Sequence, residues 1–369
     1  MESPNFTHGS APNETVHLTL SHSTEIALPI FMFAGGAIGN IIAIIVLSVS
    51  RQLRKSSAFY SLVCGLAVTD LLGTCLASPL TIADYLDKRV LRNERVCEFH
   101  SFVLLFFGLT GLSIICTMAA ERYLAICWPY AYQRWGVGRC FARKFLLFIY
   151  ISHIFFCCLP VLGMAGSELQ PSETWCFIDW KAAYTLLYGA LSLLLILGTI
   201  ALNLAVCGAL LLMRRRSAQR RVSTASGRGR WRFLSSAAET QMIAVLVMTS
   251  VVVLTCSAPL VVRIFANHFQ YDPKADLTAI RIASMNPILD PWIYILLRRS
   301  LFKRLLGLSR KRSGSRSISP PSPHSDLLFP DTMRDSHVFT QLMCNTNIIT
   351  QLPASVKFTP YDTESCRQT

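Results

Sequence analysis

The chain has 369 residues, of which 52% are hydrophobic and only 15% charged, well below the quarter or so expected of a soluble globular domain, which argues against a water-soluble enzyme. Its 35 Lys and Arg against 21 Asp and Glu give a formal charge of +14. The cations fall in short clusters between long apolar runs rather than in one basic patch, so no nucleic-acid partner is expected.

Seven near-uncharged stretches follow one another, at approximately Ile26 to Val49, Ala58 to Ala83, Cys97 to Ile126, Phe145 to Ala165, Ala182 to Met213, Ala238 to Asn267 and Leu277 to Leu297. Each reaches the length of about 20 residues that crosses a ~30 Å hydrocarbon core as helix. In lipid an open chain cannot leave backbone amides and carbonyls unpaired, and a barrel would show alternation instead of continuous apolarity. The predicted fold is therefore all-α, a seven-transmembrane helical bundle. Residues 1–25 form a polar N-terminal segment, 26–297 the bundle, 298–307 a short amphipathic eighth helix and 308–369 a disordered tail.

Loops rich in Lys and Arg stay on the cytoplasmic side. With the N-terminus outside, the inner segments 51–57, 128–144, 214–236 and 298–369 carry 3, 4, 8 and 11 Lys and Arg. The four outer segments carry 0, 4, 1 and 1, and Arg122, Arg263 and Arg281 lie in or at the ends of runs. Two glycosylation sequons, at Asn5 and Asn13, both fall before the first run and agree with that orientation. No basic segment followed by an apolar one precedes the first run, which is expected to direct insertion itself. The sequence shows no internal repeat, against a transporter built from duplicated halves.

A charge near the bilayer centre costs roughly 2.5 to 3.5 kcal/mol on insertion scales, so each one needs a reason. Asp70 sits halfway along the second run and Asp290 about seven residues from the inner end of the last. One reading makes both polar glue, hydrogen-bonded to Asn40 and Asn286. The other makes them a hydrated site inside the bundle, a protonation switch or a place for a sodium ion near Asp70. Arg281 lies roughly 7 Å of helix below the outer edge of the last run, with no acidic residue one turn away. Either it snorkels to the interface, or it is a fixed cation in an outward-opening cavity that an anionic ligand complements. Arg263, nearer the end of its run, is expected to snorkel.

Cys97 opens the third run and Cys176 lies in the outer loop before the fifth; they are the only cysteines predicted outside, and a disulfide between them would tie that loop over the helix tops. The other cysteines show no paired C-x-x-C spacing, which removes a zinc or iron–sulfur reading. Pro79, Pro160, Pro259, Pro287 and Pro291 fall inside runs, where each permits a kink. Glu121-Arg122-Tyr123 stands at the inner end of the third run. It is either an interfacial ion pair or, with Glu239 at the inner end of the sixth, half of a two-state element. His153 stands alone in the fourth run and is read as facing a neighbouring helix. No Ser-His, paired-Asp or His-Glu arrangement suggests an intramembrane enzyme.

Taken together, the seven spans, the outer N-terminus, Asn40, Asp70, Glu121-Arg122-Tyr123, Asp290-Pro291-x-x-Tyr294 and the Cys97 with Cys176 pair resemble a rhodopsin-like G-protein-coupled receptor over residues 26 to about 306. Departures narrow the resemblance. The fourth run lacks the usual tryptophan and the fifth the usual proline. The sixth reads Cys256-Ser257-Ala258-Pro259 in place of Cys-Trp-x-Pro, and the seventh carries Asp290 where most have Asn. Those departures, with Thr174-Trp175-Cys176-Phe177 and the stretch from Arg281 to Trp292, resemble the prostanoid receptor family. CGLAVTDLLGT from Cys64 to Thr74, WCFIDW from Trp175 to Trp180, and Gly111 to Cys116 most resemble its prostaglandin E2 receptors of subtype four.

The resemblance implies a ligand carboxylate on Arg281, with hydrogen bonds from Tyr85 and Thr174. It places Thr81 and Ser284 against ring or chain hydroxyls, and Trp175 in a loop that lids the pocket, so that a lipid ligand enters sideways from the bilayer. It implies an outward swing of the sixth helix about Pro259 that frees Arg122 for the stimulatory G protein, and so cyclic AMP, at the plasma membrane. No cofactor is implied. Arg298 to Leu306 alternates basic and apolar residues as a helix lying on acidic lipids does. Ser223 follows Arg220-Arg221 as in a basophilic kinase site, and the Ser-rich tail would serve arrestin.

Overall fold

The computed structural model describes residues 12–49, 58–221 and 243–296, with side chains at 26–48, 58–216 and 243–293. In chain order the elements are α1 (Pro12–Val49), α2 (Ala58–Leu86), α3 (Glu94–Cys127), the short α4 (Pro129–Arg134) and α5 (Arg139–Cys158). A hairpin of β1 (Ser167–Leu169) and β2 (Cys176–Ile178) follows, then α6 (Ala183–Arg221). After α7 (243–252) come α8 (Ala258–Ala266), α9 (Pro273–Ala283) and α10 (Asn286–Leu296). Asn5, Ser223, Glu239, the eighth helix and the tail lie outside the described residues, and so do the side chains of Asn13 and Tyr294.

Six helical segments among the described residues are long and apolar enough to cross a membrane: Ile26–Ser48, Ala58–Leu86, Glu94–Cys127, Arg139–Met164, Ala183–Arg216 and Ile243–Ala266. The seventh run forms two helices of 11 residues each, α9 and α10. The break has a chemical cause, since Pro287 in the first turn of α10 has no amide to continue the α9 ladder. Instead Met285 donates to the Ile282 carbonyl in a tight turn. The sixth span carries a π-helical turn at Val253–Ser257, and Pro259 opens the helix that follows. Pro160 likewise opens a π-helical turn that ends the fourth span.

Helix starts are capped where they leave the apolar layer. Asn93 accepts from the amides of Arg95 and Val96 at the head of α3, and Asp272 does the same for Lys274 and Ala275 at the head of α9. The central helix is α3, packed against α2, α5, α6 and both hairpin strands. Its contact with α2 is close enough that a Cβ on Gly73 would lie 2.9 Å from the Phe107 side chain. One core joins Leu62, Leu66, Ile114, Met118, Leu146 and Ile196. A second lies under the hairpin, where Leu105, Leu109, Trp175, Phe177, Trp180 and Ile264 meet. The outward face of α5 presents Leu147, Phe148, Ile151 and Phe155, all exposed. In water such an apolar stripe would be a liability; against lipid tails it is ordinary.

Two readings of polar residues are corrected here. Asn40 and Asn286 do not bond Asp70 and Asp290. Asn40 donates to the carbonyls of Gly36 and Pro287, at 2.9 and 2.8 Å, and so ties α1 to α10. Asn286 donates to Ser257 Oγ at 2.8 Å and so ties α10 to the sixth span. Arg263 does not snorkel either. Its side chain is only 18% exposed and meets Asp276, 2% exposed, at 2.7 Å, and it also bonds Asn267 and the Asp272 carbonyl. The acidic partner sits 13 residues away across a turn, beyond the one-turn window in which the sequence shows pairs. His153 faces α3 as expected, between Thr110 at 3.1 Å and Ser113 at 3.3 Å.

Candidate functional site

The hairpin is built as a lid. β1 and β2 pair antiparallel with Leu169 opposite Cys176, and the Cys97–Cys176 disulfide anchors β2 to the first turn of α3. Between the strands Glu173 adopts a left-handed backbone, φ 52°, an uncommon conformation for a non-glycine residue that its surroundings must hold. The α2–α3 connection does so: Arg92 pairs with the Glu173 carboxylate at 2.8 Å and Lys88 donates to its carbonyl at 3.1 Å. On the inner face Trp175, Phe177 and Trp180 form an aromatic cluster, with Phe177 and Trp180 rings 4.7 Å apart. Gln170 accepts from the Trp180 indole at 2.9 Å and so fastens the base of the lid.

Under the lid lies a cavity of about 250 Å³. Arg281, Tyr85, Thr174, Trp175, Thr81 and Ser284 all line it, although they come from α9, α2, the lid and the α9–α10 turn. Arg281 is half-buried, and its guanidinium lies 3.5 Å from the Tyr85 hydroxyl. No acidic residue pairs with it among the described residues. Tyr85 itself is buried, with Lys88 Nζ 5.0 Å over its ring. Thr174 lies 3.1 Å from Ser172, and Ser284 donates to the Ile280 carbonyl at 2.8 Å. Leu104, Phe107, Leu112, Ile115 and Ile264 supply the apolar wall. A cavity with a few convergent polar groups on an otherwise apolar lining is the form a small-molecule site takes.

The cavity reaches deep enough to touch Asp70, Asn286 and Asp290. There Asp70 Oδ2, Asp290 Oδ1 and Asn286 Oδ1 are buried with no hydrogen-bond donor among the described residues, as is Asn40 Oδ1 outside the cavity lining. Buried acceptor oxygens without donors call for a proton, water or a hard cation. Pro291 packs beside Gly39 of α1 at the same depth.

At the opposite end of α3, Arg122 forks onto Glu121, with Nη2 2.6 Å from Oε1, and its guanidinium lies 4.6 Å over the Phe59 ring. Tyr132 of α4 donates to the same carboxylate at 2.8 Å. Burial, and next the Glu121 charge, push the Tyr132 phenol well above its usual range, so it stays a donor at any physiological pH. The Tyr123 hydroxyl accepts from the Trp128 indole at 3.1 Å.

Two groups escaped the sequence reading. His100, buried in α3, lines the cavity beside Thr81; a polar residue one turn after Cys97 was the available signal. Ser257, at the end of the π-helical turn in the sixth span, is the partner of Asn286; the residue was visible in the sequence, its partner was not.

Residues 39–294 match the model of the 7 transmembrane receptor (rhodopsin family). Squid rhodopsin shares the fold with a TM-score of 0.65 at 16% identity, covering 81% of this chain and 89% of that one. The human prostaglandin E2 receptor EP4 subtype is 43% identical over 82% of this chain and 74% of its own length, and the rabbit one 44% over the same shares. The human prostaglandin E2 receptor EP2 subtype is 37% identical over 74% of this chain and 82% of its own. The chain belongs to the rhodopsin family of seven-transmembrane receptors and, within it, to the prostanoid receptors. It is thus a multi-pass membrane protein and a receptor rather than an enzyme.

Proposed function

We propose that this chain is a receptor for prostaglandin E2 that couples to the stimulatory G protein and raises cyclic AMP, seated in the plasma membrane with its N-terminus, glycosylated at Asn5 and Asn13, outside. The observation that carries the reading is Arg281, a half-buried cation without an acidic partner among the described residues, facing a lidded and mostly apolar cavity. An acidic lipid satisfies both features at once: its carboxylate takes the guanidinium fork, and its chains fill the apolar wall. Tyr85 and Thr174 assist at the carboxylate, Thr81 and Ser284 meet ligand oxygens further in, and Trp175 closes the top. On activation the sixth span swings about Pro259, next to the π-helical turn at Val253–Ser257, and Arg122 leaves Glu121 for the G protein, with Tyr123, Glu239, Pro291 and Tyr294 repacking around it. The Ser-rich tail engages arrestin, Ser223 is phosphorylated, and the segment 298–307 lies on the inner lipids.

The test is a panel of natural prostanoids on cells expressing the chain, with cyclic AMP and calcium read together. Prostaglandin E2 is expected to be the most potent, with cyclic AMP as the response. Greater potency of another prostanoid removes the ligand assignment, and a response confined to calcium removes the coupling.

The deep oxygens suit a sodium ion near Asp70, at the end of the cavity that Asn286 and Asp290 also line. If an ion sits there in one arrangement of the helices, agonist affinity is linked to sodium concentration. Affinity measured at low and high sodium, with ionic strength held constant by choline, is expected to differ for the wild type and to be sodium-independent for Asp70→Asn. An undiminished sodium dependence in the variant would count against the site.

A further inference from the structure

His100 has no part in the ligand contacts set out above, yet it joins three elements. Its Nδ1 lies 3.3 Å from the backbone nitrogen of Cys176, in β2 of the lid. An amide nitrogen can only donate, so Nδ1 is the acceptor and the proton of the neutral ring is on Nε2. That Nε2 lies 3.2 Å from Thr81 Oγ1, in α2. The donor–acceptor order then runs in one direction, from the Cys176 amide to the imidazole and from the imidazole to the threonine oxygen. With one Oγ1 lone pair taken by the ring, Thr81 keeps its own O–H to donate, held only by a long 3.5 Å contact with the Ala77 carbonyl. Both His100 and Thr81 line the cavity, and His100 is only 1% exposed, so bulk water does not compete for the arrangement.

We propose that His100 is a positioning residue that makes Thr81 a hydrogen-bond donor toward an acceptor oxygen of the bound ligand, a ring carbonyl or a carboxylate. The proposal rests on the prostanoid reading of the cavity. It ties recognition to the lid, because the order of the whole chain is set by the amide of a disulfide-bonded residue. A hydroxyl free to turn either way would serve donors and acceptors alike; one that already accepts from the imidazole has its O–H free for an acceptor.

The experiment is a double-mutant cycle on prostaglandin E2 affinity in intact receptor at matched surface expression. Thr81→Val and His100→Leu are each expected to weaken binding about tenfold, the worth of one good buried hydrogen bond. The double variant is expected to lose about tenfold rather than the about 100-fold of independent sites, since both changes remove the same contact. His100→Gln, which keeps an acceptor and an N–H donor, is expected to stay within about threefold of wild type. If His100→Leu does not reach the surface, His100→Gln decides, and a tenfold loss there overturns the proposal. Repeating the Thr81→Val comparison with an analogue whose ring carbonyl is replaced by an exocyclic methylene and with one bearing a methyl group for the carboxylate tells the two oxygens apart, because the loss shrinks for the analogue lacking the acceptor that Thr81 serves. Losses that multiply in the cycle, or that are unchanged for both analogues, overturn the inference alone. A wild-type receptor that binds no prostaglandin E2 overturns the ligand reading and this inference together.

Discussion

Arg281→Ala is expected to weaken prostaglandin E2 binding about 100-fold, some 3 kcal/mol, in radioligand competition at matched surface expression. The magnitude follows from asymmetry. In the free receptor Arg281 is half-buried, its guanidinium 3.5 Å from Tyr85, so the folded protein has already met part of the cost of desolvating it. A carboxylate arriving beside it gains the attraction of a site walled by Leu104, Phe107 and Ile264, where water screens little. After truncation the ligand must bury its charge against Tyr85 and Thr174 alone. Arg281→Lys keeps the charge but not the two-pronged geometry and is expected to fall between the two. Esterified ligand supplies the matching control: it should bind the wild type about as weakly as the acid binds Arg281→Ala, with little further loss in the variant. Undiminished affinity of the ester for the wild type would remove Arg281 from recognition.

Breaking the Cys97–Cys176 bridge is expected to be the most damaging change to stability. The cystine closes a segment of 79 residues, for which loop entropy alone amounts to about 4.5 kcal/mol, within the observed span of roughly 2 to 5. What remains to hold the hairpin on the helix tops is weaker. Arg92 and Glu173 are about half-exposed, and such pairs contribute at most about 1 kcal/mol. Leu91 and Leu169, packed around the cystine, lose their shared contact when the strand lifts. Cys97→Ser with Cys176→Ser should show little mature protein at the surface, and the solubilised remainder should lose ligand binding at clearly lower temperature than wild type. Matching thermal inactivation curves would show that the lid holds without the bond.

The spans and the lid anchor were readable in advance, the first because an uncharged stretch long enough to cross lipid has only helix available to it. Cys97 and Cys176 paired as their compartment suggested. Near-neighbour chemistry was readable too: Arg122 does fork onto Glu121, and His153 does face a neighbouring helix. Contacts between distant segments were not. Arg263 reads as an interfacial cation because Asp276 lies beyond the intervening turn, and only one of the two readings of Asp70 and Asp290 pairs them with Asn40 and Asn286. Depth is set by position along a run, but partnership depends on how each helix is rotated about its axis, and α1 turns Asn40 toward the Pro287 carbonyl, which Pro291 one turn on has no amide to bond.

The same distinction divides the ligand cavity. Apolar length, cation placement and a buried arginine were properties of single segments, and segments announce them on their own. That Arg281 would lie near Tyr85, that the lid amide would reach His100, and that the pocket would run down to Asp70 and Asp290 required the packed bundle. Each of these meetings is between side chains far apart in the chain, and only close packing of whole helices specifies distances on the scale of a hydrogen bond.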